Sequence, residues 1–76
     1  MGASQSFANN VHLYCNRHGI DVKEVCEKAG HSPNYLNKPK RGEGRIALED
    51  AVKIADILGV YVSALLLEGE YSEDDL

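Results

Sequence analysis

The sequence predicts an all-α fold of five short helices, and three observations predict it. Apolar residues recur every three or four positions along most of the chain. Gly19, Gly30 and Gly59 stand where those periodic stretches stop. No strand pattern survives: "VYV" at 60–62 is β-branched and aromatic, but it is short and has no partner run. A chain of 76 residues is expected to form one domain, with a core that depends on compact helix packing.

The first helix is expected over about residues 5–18, where Phe7, Val11 and Tyr14 recur at helical spacing. Ser4 or Ser6 would cap it and Gly19 would stop it. Leu13 falls off this stripe and is expected at the surface. Residues 1–6 are set aside as a flexible N-terminus. The second helix opens on a D-x-x-E capping box, Asp21 with Glu24. Its apolar face is Val22, Val25, Cys26 and Ala29, and Gly30 ends it as a left-handed residue.

Ser32 and Pro33 read as the cap and first residue of a third helix, because a first-turn proline loses no helical hydrogen bond. Leu36 is the residue here that must point inward, and Pro39 should release the chain by residue 38. The following loop, "PKRGEGR", carries two glycines and three positive charges. "ALEDAVKIADILG" is the clearest helix. Leu48, Ala51, Val52, Ala55 and Leu58 give one face, and Ile54 and Ile57 widen it. Glu49 and Asp50 lie in its first turn, where the helix dipole favours them. A last short turn, "SALLLEG", has Ser63 as cap and Gly69 as stop, and residues 68–76 form an acidic tail.

The net charge of −4 argues against a bulk polyanion binder, but the charge is uneven. Five of the 12 acidic residues lie at 68–76, and without that tail 8 basic residues face 7 acidic ones. Lys38, Lys40, Arg41 and Arg45 supply half of all basic charge within eight positions. No apolar run is long enough to span a membrane, and the N-terminus lacks the layout of a secretory signal. A cytoplasmic protein is therefore expected, with Cys15 and Cys26 as reduced thiols. Met1-Gly2 with Ser6 meets the loose myristoylation pattern, which chance reaches easily.

The informative feature is a helix, the Gly30 corner and a second helix. Cys26 is small where the two helices would touch, Gly30 supplies positive φ, and Leu36 anchors the second helix. Such a pair leaves the outer face of its second helix free, and a helix fits the DNA major groove.

These residues resemble the phage-repressor/Cro-like (XRE) helix-turn-helix domain. The likeness covers residues 7–67: "FANNVHLY", then "VCEKAG" and "SPNYL", then "RG" at 41–42, then "LEDAVKIADILGV" with "LL" at 65–66. The resemblance implies a lambda-repressor-like bundle that binds double-stranded DNA as a homodimer and regulates transcription. By position it implies base contacts from Ser32, Asn34, Asn37 and Lys38, asparagine suiting adenine. Phosphate contacts would come from Lys23, Tyr35, Lys40, Arg41 and Arg45, which position the protein without reading sequence. The chain departs from the family pattern at Val22, often Gln, at Pro39, usually an apolar core residue, and at Lys40, often Glu. Ala47 and Tyr61 replace common capping residues.

Other classes have less support. His12, Cys15 and His18, with Cys26, invite a zinc reading, but they share no helix face well and no CxxC pair anchors them. No metal or other cofactor is expected, and Cys26 reads as a small core residue. No nucleophile has a nearby base, and "RGEGR" follows no strand, so neither an enzyme nor a small-molecule substrate is expected. His31 is expected to be exposed at the turn. Leu13, Val62, Leu66 and Leu67 suggest an association face or simply close the core. The alternative to a DNA reader is a protein-interaction module on the same fold, an antitoxin, anti-repressor or inhibitor.

Overall fold

The computed structural model describes residues 2–66. It contains five helices, α1 (Ala3–His18), α2 (Val22–Lys28), α3 (Asn37–Lys40), α4 (Leu48–Leu58) and α5 (Val62–Leu65). The described residues form no strand. Leu67, the expected stop at Gly69 and the acidic tail lie outside the described residues. No helix among the described residues is long and apolar enough to cross a membrane.

α1 is the axis of the bundle and packs against α2, α3 and α5. Phe7, Val11 and Cys15 are buried along it, Ala8 fills the gap between turns, and Tyr14 is half-buried. Asn10 is also fully buried, and its Nδ2 donates to the Leu65 carbonyl at 3.0 Å, tying α5 to α1. A buried amide without such a partner would cost about 1–3 kcal/mol.

α1 starts earlier than the expected residue 5. The helix begins at Ala3, so residues 3–6 belong to it, and neither Ser4 nor Ser6 caps it. Gly2 holds the cap position without a side-chain bond, and Ser6 is buried. Ser4 acts at long range instead, its Oγ accepting from the Ile46 amide at 2.9 Å. Leu13 is half-buried rather than exposed.

Asp21 does cap α2, accepting from the Lys23 amide at 3.0 Å. The reciprocal half of the capping box is replaced: Glu24 turns along the helix toward Lys28, 3.9 Å away. In α4 the buried stripe is narrower than the sequence suggested. Ala51, Ile54, Ala55 and Leu58 are buried, while Leu48 is 71% exposed and Val52 and Ile57 face outward. Ala51 to Leu58 is the stripe that meets the core, since α4 covers only one side of the bundle. α5 starts after Tyr61, not Ser63, with no side-chain cap.

Candidate nucleic-acid interface

The corner at Gly30 is built by backbone hydrogen bonds. His31 N donates to Cys26 O and Gly30 N to Glu27 O, both at 3.0 Å, with Gly30 at φ 87°. This is a Schellman closure, which needs a left-handed residue at the corner. Cys26 and Leu36 are both fully buried across it, as the sequence pattern required. Leu36 anchors the chain after the turn by about 1.5–3 kcal/mol of apolar burial.

Beyond the corner the structure departs from the expected third helix. Residues 33–36 are turns, held by Tyr35 N to Ser32 O at 3.1 Å and Asn37 N to Asn34 O at 3.0 Å. α-Helical bonding begins only with Lys40 N to Leu36 O at 3.1 Å. Ser32 and Pro33 therefore do not open a helix, and Pro39 does not end one. Pro39 sits in the first turn of α3, where its missing N–H breaks no bond of that helix. Its ring is buried, so it fills the place of an apolar core residue. The break falls earlier: a continuous helix would need residue 39 to donate to the Tyr35 carbonyl, and proline has no donor.

Ser32, Asn34, Asn37 and Lys38 are all exposed. The two asparagines lie close together, Asn37 Nδ2 reaching Asn34 Oδ1 at 3.5 Å. Lys23, Lys40, Arg41 and Arg45 are exposed as well. Arg41 Nε pairs with Glu43 at 3.0 Å, an exposed ion pair of small stabilising effect.

Two contacts to α1 position the basic loop, and the sequence reading missed both. Gln5 Nε2 donates to the Lys40 carbonyl at 3.3 Å, and Ser4 holds the Ile46 amide. Gly42 passes close to Gln5: a Cβ there would meet that side chain at 3.4 Å, on a φ of 83°. The loop from Lys40 to Ile46 is thus tied at both ends to the first turns of α1. No local pattern marks these contacts, because Gln5 and Ser4 lie about 35 to 42 positions away.

A second missed feature lies behind the turn. His31 is half-buried, not exposed, and its ring stacks on Tyr35 with centroids 3.8 Å apart and planes 7° from parallel. Asp50, in the first turn of α4, meets both: Oδ1 lies 2.9 Å from His31 Nε2, and Oδ2 accepts from the Tyr35 hydroxyl at 3.1 Å. The contact with His31 holds the Asp50 carboxyl below the usual carboxylate range, against the opposing effect of desolvation. Burial first, then the bond to Asp50, pushes the Tyr35 hydroxyl up to about 12. The hydroxyl that the resemblance assigned to a phosphate is therefore engaged within the protein. The available signal was His31 and Tyr35 spaced i, i+4 beside the corner glycine.

Cys15 and Cys26 are free and buried, and desolvation raises the Cys15 thiol to about 11 and Cys26 in the same direction. Both stay protonated at neutral pH and serve as packing residues. Among the described residues no group of three His, Cys, Asp or Glu side chains could hold a metal ion.

A family model described as Helix-turn-helix matches residues 11–65, which run from the middle of α1 through α2, the Gly30 corner, α3 and α4 to the end of α5. No curated protein and no solved structure matches the chain.

Proposed function

The chain belongs to the XRE-type helix-turn-helix family of DNA-binding regulators, and on that premise we propose that it is a sequence-specific transcriptional repressor. It binds a palindromic operator in double-stranded DNA as a homodimer. The observation that carries this reading is the set of exposed side chains Ser32, Asn34, Asn37 and Lys38 beside the exposed cations Lys40, Arg41 and Arg45. Asn34 and Asn37 present adjacent amides, each with the donor and acceptor that suit an adenine edge. Ser32 and Lys38 flank them. Lys23 on α2 and the loop cations contact phosphates on either side, the loop held in place by Ser4 and Gln5.

Pairing has its own support. Leu48 and Leu66 border an open apolar groove of about 190 Å³, with Phe7 and Val62 beneath them. Val52 lies one turn along from Leu48 and is 41% exposed. A second copy covering this face would remove the most exposed aliphatic side chains of the described residues, Leu48, Val52 and Leu66, from water.

Selection from a random duplex pool, followed by a salt titration on the enriched sequence, tests the proposal. An inverted repeat should emerge, and its affinity should fall steeply with salt as neutralised phosphates release counterions. Only weak, salt-sensitive binding with no enriched repeat would overturn it. That outcome favours the protein-interaction module, for which the same apolar face would be the docking surface.

A further inference from the structure

The reading segment cannot hold its own shape. Pro39 withholds the amide that would bond the Tyr35 carbonyl, so the backbone within residues 32–37 is joined to itself by two short turn bonds, Tyr35 N to Ser32 O and Asn37 N to Asn34 O. Such turns are weakly determined by local bonding. Yet Asn34 must present its amide to a base edge within a few tenths of an ångström to discriminate. Something outside the segment has to set its geometry.

Leu36 supplies one fixed point, buried in the core. The other comes from α4. Both oxygens of Asp50 are used, one on His31 at 2.9 Å and one on Tyr35 at 3.1 Å, and the two rings lie flat against each other. The His31 Nε2 atom is shielded from solvent, and its 2.9 Å approach to Asp50 is a close polar contact that lacks the alignment of a hydrogen bond. A half-buried carboxylate that meets two side chains at once makes charge-assisted contacts stronger than ordinary neutral ones. The pair brackets the turn: His31 precedes Ser32, and Tyr35 follows Asn34. None of the three groups is free to read a base, because each is engaged by the others.

We propose that Asp50 is a positioning residue for sequence readout, acting through His31 and Tyr35 on the turn that carries Asn34. It sets base selectivity without touching DNA. The inference rests on the DNA-reading function proposed above and adds to it a residue on a different helix. It also assigns a purpose to the clamp, which supplies the constraint that Pro39 removes.

The test uses the full chain, the duplex enriched by selection and a scrambled duplex of equal length and composition. Asp50→Asn keeps the side-chain shape and removes the charge. Affinity for the enriched duplex should fall roughly ten-fold, while affinity for the scrambled one stays within about two-fold. His31→Phe, which keeps the stacking, and Tyr35→Phe, which removes the hydroxyl, should each reproduce part of that loss. Their effects should fail to add to that of Asp50→Asn, since all three act through one cluster. Equal loss on both duplexes, or no loss on either, overturns the proposal.

A measurement on the free protein separates this idea from the DNA reading itself. In Asp50→Asn, backbone NMR signals of residues 32–37 should shift and their amides exchange faster, with those of α1 unchanged. Unmoved signals at 32–37 overturn the clamp, whatever the duplexes show. Shifted signals in a protein that selects no sequence overturn the assignment to readout and leave the clamp as a purely structural contact. Where Asp50→Asn fails to fold, the same two measurements on Tyr35→Phe decide.

Discussion

α4, from Leu48 to Leu58, and the reading segment, from Ser32 to Arg41, are close in length, and each is followed by a glycine of positive φ, Gly59 at 73° and Gly42 at 83°. Only the first is a continuous helix. Every position of α4 has a backbone donor, two acids sit in its first turn, and Val60 N closes its end on Ala55 O at 3.1 Å. Its own hydrogen-bond ladder maintains its shape. The reading segment has two donors missing, at Pro33 near its start and at Pro39 inside it, and breaks into turns followed by four helical residues. Its shape comes from neighbours: Leu36 and Pro39 beneath it, Asp50 behind it, and Gln5 at its end. A recognition element can thus lack a continuous hydrogen-bond ladder provided that its anchors lie on helices that have one.

The comparison is broken most severely in the core. Leu36→Ala and Ile54→Ala each empty a fully buried site, and each should cost about 2–5 kcal/mol in urea unfolding. A loss for Ile54→Ala with none for Leu36→Ala would mean that the reading segment is not anchored where the geometry indicates.

Next come the exposed residues of the segment. Asn34→Ala should cost about 1–3 kcal/mol on the enriched duplex and relax its sequence preference. Arg41→Ala should weaken enriched and scrambled duplexes alike and reduce the salt dependence. If the two variants behave identically, the division between base reader and phosphate contact is wrong.

Pro39→Ala addresses the donor missing inside the segment directly. Helical ellipticity should rise, and the new residue-39 amide should exchange slowly. Stability should change by no more than about 1 kcal/mol, because the regained hydrogen bond offsets the lost ring packing. A residue-39 amide exchanging at an unstructured rate would show that Pro39 is not what divides the segment.

The smallest effect concerns acid. Asp50 has a lowered carboxyl pKa in the fold, chiefly through His31, with Tyr35 and Lys53 acting in the same sense. A lowered folded-state value stabilises the fold above the unfolded carboxylate range, near about 4. That contribution is lost as pH falls through the still lower folded value. Wild type should therefore exceed Asp50→Asn in stability at pH 5, and the gap should shrink below about pH 4. A gap that persists undiminished at pH 2 would separate the clamp from the Asp50 charge.

The sequence by itself determined the helical class, the order of five elements, the Gly30 corner and the Cys26 and Leu36 pair that closes it. These are local signals, since periodicity, capping chemistry and glycine placement act within a few residues. It also determined the family, because the pieces stand in order at the family's spacing across residues 11–65. The same local logic misplaced Pro39. A proline reads as a stop from its neighbours alone, but the core has room for its ring, so the chain shifted the break upstream. Only the tertiary structure decided what holds the reading turn. Asp50 lies 15 positions from Tyr35, and Ser4 lies 42 positions from Ile46. Contacts at such separations leave no periodic trace, because they depend on how helices are brought together and not on how each one forms.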